Sequence, residues 1–404
     1  MELTKKEDKI LNGHEGDAKQ KAMELLIRIG ELYDAKRLIR ISRAHVLASL
    51  INFHDAGIQV VEGFSNAGGK YCVPTTIDPV SMSMEGCDIK LPKDLITKQQ
   101  RIMKAHQQMG VIPSWTCTPY LYENVPAFGE HIAWAESSAV IFANSILGAR
   151  TNRMSTGLDV AAALVGKIPE FGLHLDQNRK PDVRVKINIE ALNDLDYHTL
   201  GLLLGKLTRG KIPLIQGIPP DVTVDQLKNL GSGLAMTGGL ALFHVEGVTP
   251  EVKYGYLKPS VGSFSETFEI LRSDLDTMQS ELTTTDEGID LVVLGCPLYS
   301  IEQVKTVALK TTGRRISADM EFWIHTSPYV KWMCERQGYA KPIRKAGIKL
   351  LSGTCIVISF VKLTNIRRVM LDSARAAHLV PSEHNLDVVY ASTEDCIETA
   401  LQGC

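Results

Sequence analysis

Two apolar, strand-like runs in the last third of this chain each end at a turn and pass straight into a helix signature. No other feature constrains the fold as much. The first run covers 289–294 and breaks at Gly295-Cys296-Pro297. Ser300 and Gln303 follow at the spacing of a capping box. The second covers 322–325, with Ser327 as N-cap and Pro328 at the first helical position. A third run, 349–351, leads to Thr354-Cys355, and 356–358 extends it. Strands alternating with helices imply α/β architecture with doubly wound, mostly parallel sheets. In such sheets ligands sit beyond the carboxyl ends of the strands, where Cys117 and Cys296 fall.

The remaining chain fits this frame. Ala18, Ala22, Leu25, Leu26, Ile29 and Leu32 recur at helical spacing over 17–33. Short strands are predicted at 38–41 and 58–61, and a strand at 71–73 feeding a polar loop at 74–79. A helix over 95–109 ends at Gly110. A strand from Val111 then carries Cys117 near its end, and a helix over 131–147 stops at Gly148. Alternating Val183, Val185, Ile187 and Ile189 predict a half-buried strand. Helices are expected at 197–207 and 223–230. Gly231-Ser232-Gly233 and Thr237-Gly238-Gly239 then flank a turn, before a strand at 240–245. The polar stretch 177–182 divides the chain into lobes of about 1–180 and 181–404.

With 404 residues, a large core is available. A net charge of −2 supplies no basic field for nucleic acid. No apolar run is long enough for a membrane span, and the N-terminus lacks the apolar core of a signal peptide. The chain reads as cytoplasmic. Its eight cysteines are too sparse for a disulfide scaffold and contain no C-x-x-C pair. Gly68-Gly69-Lys70 and Gly231-Ser232-Gly233 fail the two nucleotide-binding fingerprints, and neither H-E-x-x-H nor G-x-S-x-G occurs. A metal site here has to be assembled from distant ligands.

Chemistry concentrates between Pro113 and Arg153. Cys117 lies in Trp115-Thr116-Cys117-Thr118-Pro119, and Glu136, Ser137, Asn144 and Ser145 interrupt an apolar, helix-like run. Burying such groups without partners costs a few kcal/mol each, so their presence marks this segment as the floor of a site. Cys117, Cys296 and Cys355 share one context, beside small or turn-forming residues at or near strand ends. Thiolates in that setting suit iron–sulfur ligation, and three ligands leave one position for substrate oxygen. Burial as three small hydrophobes is the competing reading, and spacing alone favours it. Cys72, Cys87, Cys334, Cys396 and Cys404 lack that context.

Several rare strings stand here in one order. They are Trp115 to Tyr120, Gly129 to Ser137, Phe142-Ala143-Asn144-Ser145 with Gly148 to Arg153, Phe171 to Asp176, Phe243 to Glu251, Gly295-Cys296-Pro297 and Thr354-Cys355. Over nearly its full length the chain resembles the large catalytic subunit of the aconitase X branch of the aconitase superfamily. The resemblance implies an aconitase-like multi-lobed catalytic domain and an iron–sulfur-dependent hydro-lyase. It implies a cluster ([4Fe-4S], [3Fe-4S] or [2Fe-2S]) held by Cys117, Cys296 and Cys355. It also implies a swivelling domain on a separate small subunit, supplying the main base and completing a heterodimer. The implied substrate is a small hydroxylated carboxylate, cis-3-hydroxy-L-proline first and mevalonate 5-phosphate as the alternative. A non-catalytic cluster-binding protein is a third reading.

Within that resemblance Arg150 and Arg153 are forked cations suited to a carboxylate or phosphate. Pairing with Asp159 or plain exposure is the alternative for one of them. Asn144, Ser145 and Asn152 are candidates to touch substrate or cluster sulfides, with helix capping as the competitor. Glu136 and Ser145 are the catalytic candidates on this chain; Glu130 and Glu136 orient an arginine or relay a proton, against the alternative of ordinary ion pairs, and His174 lines the cleft, against a satisfied core histidine. Thr75 and Thr76 reach substrate or cap a turn. Three departures from the family pattern stand at Leu298, at Asp372-Ser373-Ala374-Arg375 and at Leu47 to Asn52, the last two in regions expected to touch substrate.

Overall fold

The computed structural model describes residues 1–84, 89–257 and 264–402; Cys87 and Cys404 lie outside them. In the last third, strands Leu291–Tyr299, Glu321–Thr326, Lys349–Ser352, Arg368–Leu371 and Asp387–Tyr390 form one five-stranded sheet. Every pairing in it is parallel, and Leu291–Tyr299 stands between Glu321–Thr326 and Arg368–Leu371. Alternate residues enter different cores. Leu291, Val293, Val369 and Leu371 pack on one face against the helix Ala374–His384. Val292, Leu294, Phe322 and Ile324 pack on the other against Ile301–Thr311 and Pro328–Gln337. Period-two alternation with both faces covered is what a doubly wound parallel sheet requires.

Both helix starts read from the sequence are built as expected. Ser300 and Gln303 complete a capping box, and Ser327 accepts from the Val330 N–H with Pro328 in the first turn. Gly110 ends Lys93–Met109 in the left-handed conformation. Two further parallel sheets stand beside the large one. Thr75–Ile77, Ala44–Val46 and Ala133–Trp134 form the first. His244–Val245, Pro213–Gln216, Val183–Ile187 and Glu266–Ile270 form the second. Leu38–Arg40 pairs antiparallel with Lys167–Pro169.

Several local expectations do not hold. Residues 58–61 belong to the helix Leu50–Asn66, whose buried Phe53, Gly57, Ile58, Val61 and Phe64 make a helical stripe that a four-residue window cannot reveal. The strand expected at 71–73 forms one step later, at Thr75–Ile77, where a loop was expected. Residues 111–117 form no strand beyond a bridge between Ile112 and Thr76. The helix expected from 131 begins at Ser137, because Ala133–Trp134 pairs in the sheet. Residues 356–358 are not strand, and the run at 240–245 shortens to His244–Val245.

The turn expected between Gly231-Ser232-Gly233 and Thr237-Gly238-Gly239 does not form; the residues between them continue the helix Val224–Thr237. A Cβ on Gly233 would stand 2.4 Å from the Leu202 amide nitrogen, and one on Gly201 would stand 2.2 Å from the Leu230 carbonyl oxygen. These glycines let Val224–Thr237 and Asp194–Thr208 approach backbone to backbone. Their local cost in helix propensity, about 1 kcal/mol each, is offset by that packing.

Candidate active site

The carboxyl ends of strands from two sheets open onto one cavity of about 640 Å³. Its wall takes Leu47 after Ala44–Val46, Asp78 after Thr75–Ile77, Glu136 after Ala133–Trp134, Cys296 from Leu291–Tyr299, Cys355 after Lys349–Ser352 and Arg375 after Arg368–Leu371. This is the crevice expected of open parallel sheets. Cys117 joins from the loop that follows Lys93–Met109. All three singled-out cysteines therefore converge on one space, and no disulfide ties them.

Each thiol is held by a local device. Thr116 Oγ1 accepts from the Thr118 N–H at 3.0 Å, closing a tight turn around Cys117. Gly295 has φ 106, and a Cβ there would lie 2.2 Å from the His325 carbonyl oxygen; its close approach bends the strand at Cys296. Gly353 has φ 70, and the turn it makes leads into Cys355, whose carbonyl accepts from the Ser359 N–H. Burial pushes all three thiols up: Cys117 well above the ordinary range with Glu136 adding to it, Cys296 less so, and Cys355 to about 12. With protein groups alone they stay protonated; deprotonation needs a cation among them.

Two guanidiniums line the same space. Arg375 is half-buried at the start of Ala374–His384, and its Nη2 donates to Glu136 Oε1 at 3.2 Å. Burial works against its charge, yet Glu136 raises its pKa. Burial lowers that of Arg153, whose Nη1 reaches only the Ala235 carbonyl, at 3.5 Å. Glu136 is itself the N-cap of Ser137–Ser145, with Oε2 accepting from the Ala139 N–H and the Ser138 hydroxyl at 2.6 Å each. Burial, reinforced by Glu136, raises the pKa of Asp78, which lines the cavity, well above its ordinary value and so favours the protonated carboxyl. His45 Nε2 lies 3.6 Å from it, and burial holds that imidazole neutral, with a pKa of about 3.

Ser137 also lines this cavity, as do Leu47, Ile51 and Asn52 from the stretch Leu47 to Asn52 expected to touch substrate. The remaining polar residues singled out from the sequence do not, and have partners elsewhere. Asn144 donates to the carbonyls of Thr151 and Ala241 and accepts from the Thr151 N–H and from Arg179. Ser145 accepts from the Phe243 N–H. Asn152 ties Phe171 and Leu173. Arg150 pairs with Asp176 and donates to the His174 carbonyl. The His174 ring meets His131, Nδ1 to Nδ1 at 3.0 Å, and burial takes its pKa to about 3. Thr75 donates to the Val73 carbonyl, and Thr76 holds His45 and Asn124. Asp159 accepts from backbone N–H groups of Leu47, Gly157 and Val160 and meets no arginine side chain.

Arg375 stands in the departure Asp372-Ser373-Ala374-Arg375, a region expected to touch substrate, and lines the cavity after the N-cap Ser373. Asp78, the first residue past a strand, is a wall residue that reasoning from sequence left out, and placing Thr75–Ile77 correctly would have found it.

The chain matches family models described as the aconitase X first domain over residues 1–177, second domain over 181–280 and third domain over 289–402. It is 37% identical to a phosphomevalonate dehydratase large subunit of Methanocaldococcus jannaschii, over 98% of this chain and 100% of that one. It is 35% identical to a cis-3-hydroxy-L-proline dehydratase of Pseudomonas aeruginosa, over 98% of this chain and 69% of that one. A crystal structure of Thermococcus kodakaraensis aconitase X in its holo-form superposes with a TM-score of 0.91 at 37% identity, covering 99% of this chain and 100% of that one.

Proposed function

This chain belongs to the aconitase X family and is thereby a hydro-lyase; from that premise we propose that it is the cluster-bearing large subunit of a two-chain dehydratase acting on mevalonate 5-phosphate. The observation that carries the reading is the convergence of Cys117, Cys296 and Cys355 on one cavity with two guanidiniums.

The donor set fits an iron–sulfur cluster. Among the described residues no three His, Cys, Asp or Glu side chains are grouped so as to hold a single metal ion. Ligands of a polynuclear cluster bind different irons and are set farther apart, as thiols spread around a cavity wall are. Cys117, Cys296 and Cys355 would hold it, and when bound it supplies Lewis acidity toward the departing hydroxyl.

The chain's own groups do the rest. Arg153, with one long hydrogen bond, is the cation available to a substrate carboxylate or phosphate. Glu136 orients Arg375 and keeps it charged beside the thiols. Asp78 presents a neutral carboxyl that donates a hydrogen bond to a substrate oxygen. Glu136 is committed as a cap on one oxygen and to Arg375 on the other, which leaves proton abstraction to the small subunit.

For the substrate, relatives named phosphomevalonate dehydratase large subunit support mevalonate 5-phosphate, four of them at 35–39% identity over 90–100% of this chain. One observation favours cis-3-hydroxy-L-proline as the second reading: of the two cavity guanidiniums only Arg153 is without a carboxylate partner, which suits one anionic group better than two. The deciding experiment assembles the chain anaerobically with its small subunit and supplies each compound in turn. Dehydration of mevalonate 5-phosphate is expected. Turnover of cis-3-hydroxy-L-proline alone would transfer the assignment to the second reading. Full activity without iron would remove both.

A further inference from the structure

Beside the Cys117 loop runs a strip of exposed aromatic rings. Tyr122, Tyr329 and Trp332 are 38%, 42% and 55% exposed. Their centroids lie 5.5 Å apart (Tyr122 to Tyr329) and 5.8 Å apart (Tyr329 to Trp332). The Arg336 guanidinium sits over Trp332 at 5.9 Å. Trp, Tyr and Arg are the residues that dominate protein–protein hot spots.

The ground around the strip is acidic and partly unpaired. Both carboxylate oxygens of Glu123 are buried with the Ser327 side chain beside them, and burial raises its pKa to about 7. The Tyr122 ring stands near Asp225 and Glu302, on the rim of a second cavity of about 550 Å³. Inside that cavity Asp372 is 4% exposed; its Oδ2 accepts from Tyr299 and Thr393, and its Oδ1 has no partner. Lys228 pairs with Asp225 and Lys305 with Glu302. Asp194, Glu123 and Asp372 make no ion pair among the described residues; Asp194 is exposed and accepts from Gln226, and the Lys228 charge acts on the buried Asp372. Buried carboxylates without a counter-charge are costly, and a basic side chain from outside removes that cost.

We propose that the Tyr122–Tyr329–Trp332 strip, with Glu123 and the Asp372 cavity beside it, is the docking face for the small subunit, and that the small subunit places Lys or Arg side chains against these carboxylates. The inference rests on the two-chain reading above. Two observations choose this occupant. Tyr122 is five residues from Cys117, so a partner seated here adjoins the wall of the cysteine cavity. A second copy meeting this face through a two-fold axis would set acids against the same acids, which repels.

The test measures binding of the full chain to the small-subunit chain from the same genome, by isothermal titration and sedimentation velocity, with circular dichroism to verify folding. Trp332→Ala is expected to weaken the complex at least ~30-fold, as a buried aromatic anchor does. Glu123→Gln is expected to weaken it ~10-fold through loss of a desolvated charge pair. Leu32→Ala, at a residue 71% exposed on another helix, should leave it unchanged. Wild-type affinity in both face variants overturns the docking face while leaving the two-chain reading intact. Failure of the wild-type chain to bind overturns the two-chain reading and the docking face together. A wild-type homodimer made monomeric by Trp332→Ala assigns the strip to a second copy and overturns the proposal.

Discussion

Replacing Cys117, Cys296 or Cys355 with serine, one at a time, is expected to strip iron and sulfide from the anaerobically purified protein and to cut dehydratase turnover by at least ~10³-fold. The size follows from the several kcal/mol of charge stabilisation a Lewis-acidic metal contributes, at about 1.4 kcal/mol per tenfold in rate. These thiols share a cavity with Arg375, and each is pushed up by burial, so no protein group alone ionises them. Cys72→Ser is the control. That thiol is exposed, donates to the Ala163 carbonyl and stands away from the cavity wall, so iron content and turnover should match wild type. Iron and sulfide assays with the visible absorption spectrum give the readout. Wild-type iron and sulfide in any of the three cavity variants would move the ligands elsewhere and remove the basis of the dehydratase mechanism.

The second large effect is expected far from substrate. Arg179 has a side chain 1% exposed. Its Nε donates to Glu251 Oε1 at 2.7 Å and its Nη2 to Glu251 Oε2 at 3.1 Å, a bidentate pair. Its remaining N–H groups reach Asn144 and the carbonyls of Leu173, Asn144 and Ala149. The residue thus pins the end of Ser137–Ser145, the helix that Glu136 caps, to the short helix Pro250–Lys253. Arg179→Met leaves the Glu251 carboxylate buried and unpaired, and a loss of about 3–5 kcal/mol is expected in the first unfolding transition in urea. Arg179→Met with Glu251→Met should recover part of that loss, since no lone charge remains. A double variant as unstable as the single one would mean that the five-donor network, and not the ion pair, carries the stability.

The contrast between Asn144 and Arg375 shows where reading the chain succeeds and where it stops. Asn144 looked like a substrate contact because it interrupts an apolar run. Yet every residue of Ser137–Ser145 but the first is buried, so no polar stripe says which side faces the cavity. The structure turns Asn144 toward Arg179 and Thr151, and turns Glu136, at the cap, toward the thiols. Arg375, in a departure from the family pattern expected to touch substrate, is brought to the same wall by a strand more than two hundred residues downstream.

By itself the sequence determined the features that short-range physics writes: the alternation of the parallel strands, the capping boxes, the glycine at a helix end and the shared turn context of three cysteines. Each depends on residues within about four positions of one another, where backbone hydrogen bonding and side-chain sterics decide the outcome. Tertiary structure alone decided which polar groups meet. Glu136 meets Arg375, Asp78 comes within 3.6 Å of His45, and Arg179 pairs with Glu251, all between residues far apart in the chain, and their ionisation is governed by burial that no local window contains.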